Sequence, residues 1–550
     1  MQRDFDLLTQ LETERSTLTG HYQELARLIW PDQAVMYRQP GIGLQEGDKR
    51  ALELVDATQA IAADRCASAL MSMTAPTHKQ YQQLAIDDEE IGESPEVKRW
   101  LETTTSALFR YRYAPRSGFA AQYHEGCKSL VVFGPMATFC EDTPTGIRYH
   151  GLSLSNTFFL TDSQSRVNGA VRKLEWTGRQ LAEKFGADSL PPKVRQSIDS
   201  TNQSERLRLW KCVHVIEELP TPQSVTGFRF SSRYTVEEGY AVLESSGYRQ
   251  LPIAAARFST MPGEKYGRSI SMTLLPTIKG LQRMVADYIK GVHKQVDPPL
   301  LAADDDGVMA AIKAIPGKVT VGGMSADGKA LVAPMSQPGR LDWALQLIED
   351  QRRQINDGYL VTLFQILAQD PGSRQQTAYE VSVREVEKAQ LLSPSTDRIV
   401  DEYFGSLVQR EIQILMDAGF LPPMPPELEG REGEIKITHT GELARAQQAD
   451  KLLGIQRALE VAPVFAQLDP TSAKKVDWAE AFGEFAEGAG MSAKLIRSKD
   501  DIEAEREADE QAQAMATAAE LAPGAGQAAK AFAEAEQLRA GAPSQLGGYV

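Results

Sequence analysis

The chain has 550 residues, is 42% hydrophobic and 24% charged, and carries 59 Lys+Arg against 74 Asp+Glu, a net charge of −15. That length supports several domains with substantial cores. The acidic balance excludes a protein that grips nucleic acid over a broad basic face, because such a face is what displaces condensed counterions. It leaves room for a protein past which nucleic acid slides, since an acidic wall repels phosphates and makes few lasting contacts.

The cysteines Cys66, Cys127, Cys140 and Cys212 show no metal or redox spacing, which predicts a reduced, cytosolic product without disulfides. The start, MQRDFDLLTQLETERS, lacks a basic and an apolar region in succession, so no signal peptide is expected. No run of ~18 apolar residues occurs, so no membrane span is expected.

Helical spacing of Phe5, Leu8, Leu11, Leu18, Tyr22, Leu25 and Ile29 predicts a helix over 1–30, stopped by Pro31. Further helices are expected over 51–73, over 94–113 with Ser94 as cap and Pro95 at the first helical position, and over about 117–130. Then the period changes. LVVFGPMATFCED, TGIRYHGLSLSNTFFLTD, LWKCVHVIEEL, GFRFSSRYTV, YAVLESSGY and IAAARFS read as strands, interrupted by helices at TGRQLAEKFG and near 191–199. Residues 131–260 are therefore expected to be β-rich inside a mainly helical α+β chain.

Pro276 is expected to open a helix striped by Ile278, Leu281, Val285, Tyr288, Ile289 and Val292, ended by VDPP at 296–299. Residues 300–339 read as compact and β-like, with Asp327-Gly328 as a hairpin turn between KVTVGGM and KALVAPM. A long helix over 341–368 carries Leu341, Leu345, Ile348, Ile355, Tyr359, Leu363 and Leu367. After the polar, breaker-rich QDPGSRQ comes a helix over 377–418, with a kink expected at Pro394. A strand at 434–438, helices over 441–462 and 475–489, and an Ala/Glu/Gln-rich tail complete the chain. No internal repeat is visible.

Enzymatic signatures are weak. GMSADGKA (323–330) has the phosphate-loop spacing but puts Ala330 where Ser or Thr should hold magnesium, and a strand-like LVAPM follows it. DDDG at 304–307 fails the calcium-loop pattern. The seven histidines are scattered without ligand spacing. No cofactor, no metal and no catalytic residue is expected. Two readings from other classes stay open: a nucleotide-hydrolysing motor, and a cytosolic helical scaffold or adaptor without a DNA role.

Several stretches together resemble the portal, or head-to-tail connector, family of short-tailed (podovirus) bacteriophages. They are KSLVVFGPMATFCEDTPTGIRYHGLSLSNTFFLTDSQSRVNGAVRKLEWTGRQLAEKFG (128–186), GEKYGRSISMTLLPTIKGLQRM (263–284), VDPPLL (296–301) and SRQQTAYEVSVREVEKAQLLSPSTDRIVDEYFGSLVQREIQIL (373–415). The resemblance runs from about residue 5 to 500. Ile270 departs from it, since the family often has Pro after Tyr-Gly-Arg-Ser.

The resemblance implies a portal fold in a ring, usually of twelve identical subunits, at one capsid vertex of the virion. Double-stranded DNA is packaged through the ring and later ejected. It implies a wing over 1–270 containing the β-rich unit, a first stem helix over 271–294, a clip over 295–339 and a second stem helix over 340–368. A tunnel loop would occupy 369–375, a kinked wing helix 376–433, a crown 434–499, and a barrel helix with a flexible tail 500–550.

On this reading Asp370, Gly372, Ser373, Arg374 and Gln375 face DNA in the channel. Lys279, Arg283, Lys290, Arg352 and Arg353 are candidates for the stem lumen. Asp304, Asp305, Lys318, Asp327 and Lys329 are candidates for partner docking on the clip. The implied partners are the terminase large subunit, tail adaptor proteins, major capsid and scaffolding proteins and possible internal core proteins. No membrane is implied, and synthesis would be in the host cytoplasm.

Overall fold

The computed structural model of the chain describes residues 2–33, 54–77, 80–221 apart from 87, 89, 90 and 93, 227–297, 300–302, 327–329, 332–334, 341–361, 396–428 and 435–439, with isolated residues elsewhere. The chain divides into two compact units, one of residues 1–88 and 103–447, the other of 89–102 and 448–550. The expected helices over 441–462 and 475–489 and the tail lie outside the described residues but for isolated positions.

The amino-terminal stretch forms two helices and not one: α1 (Arg3–Glu14) and α2 (Ser16–Ile29). They meet at Arg15, whose guanidinium is drawn into the fold. Its Nη1 donates to the Thr157 carbonyl at 2.7 Å and its Nη2 to the Ser155 carbonyl at 3.3 Å, and the Phe158 ring lies 3.8 Å from its Cζ. The break lets each helix keep its apolar face on a separate support. Leu8 and Leu11 of α1 pack with Phe158, Val171, Val213 and Val215, whereas Tyr22 of α2 meets the Phe133 ring edge-on.

Helix α3 (Thr58–Thr74) begins later than the expected 51. Residues 54–57 are not helical, and Asp56 Oδ1 accepts from the Thr58 amide at 2.8 Å, as a cap would. Strand β1 (Gln82–Ile86), helix α4 (Pro95–Arg112) and helix α5 (Phe119–Phe133) follow. The apolar LVVF belongs to the last turn of α5, not to a strand as expected. A short, fully buried apolar run has no period to tell the two apart. Gly134, at φ 106°, ends the helix, and Pro135 starts the next strand.

The β-rich unit contains two antiparallel sheets. Strands β2 (Pro135–Thr143), β3 (Gly146–Gly151), β4 (Thr157–Thr161), β5 (Val167–Thr177), β6 (Leu209–Glu218), β7 (Phe230–Val236), β8 (Val242–Tyr248) and β9 (Ile253–Arg257) divide into a three-stranded sheet, β3-β2-β9, and a five-stranded sheet, β4-β5-β6-β7-β8. Alternation along β6 explains how the larger sheet is covered on both sides. Val213 and Val215 face α1. Trp210 and Cys212 face Leu181 and Val194 of α6 (Gly178–Phe185) and α7 (Pro192–Asp199).

Two long helices come next. Helix α8 (Ile270–Val296) opens at Ile270 rather than at Pro276, because Ser269 Oγ caps it, accepting from the Met272 amide at 3.1 Å. Pro276 sits inside and forfeits one backbone hydrogen bond of an early turn. Helix α9 (Leu341–Gly358) is interrupted where the chain turns through Tyr359 and Leu360, the latter at φ 58°; Val361 is helical again, and the rest of the helix expected to 368 lies outside the described residues. Between them, β10 (Leu300–Ala302) pairs antiparallel with β11 (Val332–Pro334). Gly328 has the positive φ, 75°, that the Asp-Gly turn requires, while the expected strand over 318–324 lies outside the described residues except for Met324.

Of the helix expected over 377–418, the part from Thr396 is described, so the kink at Pro394 falls outside the described residues. It contains a π-helical segment (Ile399–Phe404) followed by α10 (Gly405–Asp417). Strand β12 (Ile435–His439), expected from the sequence, pairs antiparallel with β1, which was not.

Candidate functional site

The long helices α8 and α9 pack against each other, and three hydroxyls fix their base. Ser269 Oγ donates to the Val132 carbonyl and Ser271 Oγ to the Val131 carbonyl, both at 2.8 Å, tying α8 to the end of α5. The Tyr359 hydroxyl lies 2.7 Å from Ser271 Oγ, so the end of α9 is held by the same seryl group. Gly358 makes the close approach possible: a Cβ there would fall 2.6 Å from a Leu274 methyl.

A second anchor is built around Asp56. The Gln282 side chain of α8 reads the backbone there, its Oε1 accepting from the Val55 and Asp56 amides at 2.9 and 3.0 Å and its Nε2 donating to the Asp56 carbonyl at 2.6 Å. Arg352 of α9 donates to Asp56 Oδ2 from Nε at 3.0 Å and from Nη2 at 2.7 Å. Burial alone would raise the Asp56 carboxyl, but the hydrogen bonds from Thr58 and from the Arg352 guanidinium leave it below its ordinary value. Asp56 thus joins three helices: its carboxylate bonds α3 and α9, and its backbone holds Gln282 of α8.

The five basic residues singled out on these helices separate. Lys279, Arg283 and Lys290 share one face of α8 by their spacing. Lys279 pairs with Glu24 of α2 and Lys290 with Asp287 at 3.3 Å, while Arg283 is exposed. Arg352 is committed to Asp56, and Arg353, about 100° further round the helix, reaches Glu349 at 3.8 Å and Asp350 at 3.5 Å. Asp327 and Lys329 are exposed beside the Gly328 turn; Asp304, Asp305 and Lys318 lie outside the described residues, as do Asp370, Gly372, Ser373, Arg374 and Gln375.

The apolar stripes of the pair are buried at the base and open at the far end. Ile278, Leu281, Ile355 and Tyr359 are fully buried. Ile289 is 42% exposed and Val296, seven positions on along the same face, 81%; on α9, Leu345 of the stripe is 42% exposed, and Leu347, about 200° round the helix, is 51% exposed. Trp343, one turn before Leu347, is also exposed.

The segment that leads into α10 is held as firmly as the base of the pair. In the π-helical turn, Glu402 takes two bonds from the Arg257 guanidinium, 3.2 and 2.7 Å, and one from its amide at 3.1 Å. The Tyr403 hydroxyl donates to Thr138 Oγ1 at 3.0 Å. Sequence reading found the helices but missed Asp56, Gln282, Arg257 and Glu402, for no local pattern marks residues whose partners are distant in the chain.

The geometry after GMSADGKA is that of a turn followed by strand β11, not by a helix, so the strand–loop–helix context of a phosphate loop is missing there. Among the described residues, no cluster of His, Cys, Asp and Glu could hold a metal ion, and no helix is long and apolar enough to cross a membrane.

Comparison with known proteins bears out the resemblance seen in the sequence. The family model described as "Bacteriophage head to tail connecting protein" matches residues 5–496. The "Probable portal protein" of Bordetella phage BPP-1 is 27% identical over 540 residues, covering 95% of this chain and 93% of its own. The "Portal protein" of Salmonella phage epsilon15 is 24% identical over 540 residues, covering 96% and 94%. With the family model matching nearly its whole length, the chain belongs to the bacteriophage head to tail connecting protein family.

Proposed function

We propose that this chain is a phage portal subunit. Identical copies, twelve by analogy with the family, close into a ring at one capsid vertex, and double-stranded DNA is packaged and ejected through its bore. Helices α8 and α9 are the stem, residues 295–339 the clip, 369–375 the tunnel loop, 376–433 the wing helix, 434–499 the crown and 500–550 the barrel helix and tail. Packaging requires docking of the terminase large subunit on the clip, through such residues as Asp304, Asp305, Lys318, Asp327 and Lys329; tail adaptors replace it afterwards. Major capsid and scaffolding proteins surround the ring, and internal core proteins sit above it. The ring itself hydrolyses nothing.

The observation that carries this reading is the apolar, exposed far half of the helix pair. Full burial of a Leu or Ile side chain stabilises by about 1.5–3 kcal/mol, and Ile289, Val296, Leu345 and Leu347 leave much of that unrealised in a single chain. A neighbouring copy that packs its own stem against them realises it, and repetition of one such heterologous contact closes a ring. Arg283 and the tunnel-loop residues Asp370, Gly372, Ser373, Arg374 and Gln375 then face the bore, where sparse positive charge guides DNA without arresting it. Lys290 and Arg353, each balanced by an acid on its own helix, add little net charge there.

The experiment is to express Leu347→Glu with Ile289→Glu in place of the native chain during infection. Capsids are expected to assemble and to remain empty of nuclease-protected DNA. Normal filling would contradict the reading, and is what the alternative, a scaffold or adaptor without a DNA role, predicts.

A further inference from the structure

A cleft of about 530 Å³ opens between the turn joining α4 to α5 and the tip of the β2–β3 hairpin. Its walls carry Tyr111, Arg116, Thr145 and Arg148. Both arginines are exposed, and among the described residues neither makes an ion pair. Of the neighbouring carboxylates, Glu141 is committed elsewhere and Asp142 has its cationic contact in Arg410. Glu141 stands opposite Arg148 in the strand register, yet its carboxylate lies 3.0 Å from His150 Nε2 and 3.3 Å from Lys184 Nζ. Asp142, next along β2, is 3.9 Å from Arg410 Nη2. Two guanidiniums are therefore uncompensated on a chain of net charge −15. The exposed Arg110 places its Cζ 5.1 Å from the ring of the lining residue Tyr111, which is itself stacked on Phe420.

The wall chemistry selects an anion. Thr143 spends its proton on the Gly146 carbonyl at 2.9 Å and Ser117 on the Arg112 carbonyl at 2.5 Å, so their hydroxyls offer only acceptors. The free donors are the two planar guanidiniums and Thr145, and a guanidinium matches phosphate oxygens two at a time. The donors stand on long exposed side chains around an open cleft. Such a place holds a small ion poorly, because water competes at every bond. It suits a charge repeated along a stiff polymer that meets the same cleft on successive subunits.

We infer that this cleft receives backbone phosphates of double-stranded DNA, outside the channel elements named above; the choice of DNA as occupant rests on the portal reading. The test uses the assembled, full-length protein and a short fluorescent duplex, with anisotropy followed against salt. Arg116→Ala with Arg148→Ala is expected to weaken binding at least tenfold at low salt and to flatten the dependence of log K on log salt by about 0.9 for each phosphate no longer neutralised. Arg116→Lys with Arg148→Lys keeps most of that slope. Thermal midpoints and ring images of both variants should match the parent, because the replaced side chains hold no structural partner.

Parental affinity and slope in the alanine variant would overturn the inference. So would polyglutamate binding that rivals the duplex and is lost in the same variant, since the cleft would then dock an acidic protein. Rings that form normally but show either result overturn this inference alone; failure of the parent chain to form rings overturns the portal reading.

Discussion

Arg112 meets Glu411 through two parallel bonds, Nε to Oε1 at 3.0 Å and Nη2 to Oε2 at 2.6 Å, across a separation of 299 positions. The side chains are 1% and 0% exposed. Tyr149 donates its hydroxyl to Glu411 Oε1, and Arg112 Nη1 donates to the Tyr81 hydroxyl at 3.0 Å and Gln82 Oε1 at 2.8 Å. The Phe109, Phe119 and Phe404 rings lie 5.3, 5.4 and 5.7 Å from the guanidinium carbon. The pair fastens α10 to α4 and β3, and so positions the segment that emerges from the undescribed residues 362–395. Removal of one partner leaves a buried charge alone. Arg112→Ala or Glu411→Gln is expected to cost about 3–5 kcal/mol in denaturant unfolding. Arg112→Met with Glu411→Leu removes the lone charge but still takes a partner from Tyr81, Gln82 and Tyr149, at about 1–3 kcal/mol for each group left unsatisfied.

Gly134 should tolerate no side chain. Its φ is 106°, and a Cβ there would lie 2.4 Å from the carbonyl oxygen of Gly267. Gly267 is crowded too, since a Cβ there would lie 2.8 Å from that of Arg257. Gly134→Ala is expected to destabilise by about 2–4 kcal/mol, through both backbone strain and collision. Urea unfolding measures it, and Gly186→Ala, where nothing lies within 4 Å of a Cβ, separates the strain of a positive φ from the collision.

The Asp56 anchor gives the helix pair an acid sensitivity. The folded carboxyl titrates below its ordinary value, so its contribution is complete above the unfolded pKa of about 4 and is lost as pH falls through the folded value. Glu141 behaves alike. Its bond with His150, against the opposing effect of burial and with help from Lys184, brings its carboxyl down to about 2; because it is about a third exposed, solvent screening leaves about 1 kcal/mol. Asp56→Asn is expected to cost about 1–3 kcal/mol at neutral pH and to flatten the fall of the thermal midpoint as pH drops below the unfolded carboxylate value of about 4. An unchanged acid limb would remove Asp56 from this account.

The thiols should be silent in the folded chain. Cys66, Cys127, Cys140 and Cys212 are free and buried, and burial pushes the first two and Cys212 up to about 12, with Cys140 raised as well. Thiolate is the reactive form. A disulfide-exchange reagent is expected to label none at neutral pH in native conditions and all four in denaturant; rapid native labelling of any of them would show that its surroundings open.

The sequence made local features plain where their cause is local. The helix read at TGRQLAEKFG is α6, opened by a capping box between Thr177 and Gln180, and Gly328 of the expected Asp-Gly turn has a positive φ. The stripes of α8 and α9 were readable as periodicity, though not where each changes from buried to exposed, which depends on how far the supporting helices α2, α3 and α5 reach. Arg15 interrupts a continuous helical pattern because of carbonyls at 155 and 157. QQLAI at 82–86 becomes a strand only because 435–439 pairs with it. The Arg116 and Arg148 cleft was invisible for a related reason: Glu141, opposite Arg148 in the strand register, is drawn instead to His150 and Lys184, and that is set by the tertiary fold.

The closed ring is the claim on which the channel, the stem and the docking face all depend. Averaged electron micrographs of the purified full-length chain, viewed down the particle axis, test it most directly. Discrete particles with one hollow centre and a fixed number of equal subunits are the predicted result, lost in Leu347→Glu with Ile289→Glu while the thermal midpoint of the single chain holds. Monomers, open filaments or solid particles from the parent chain would contradict it.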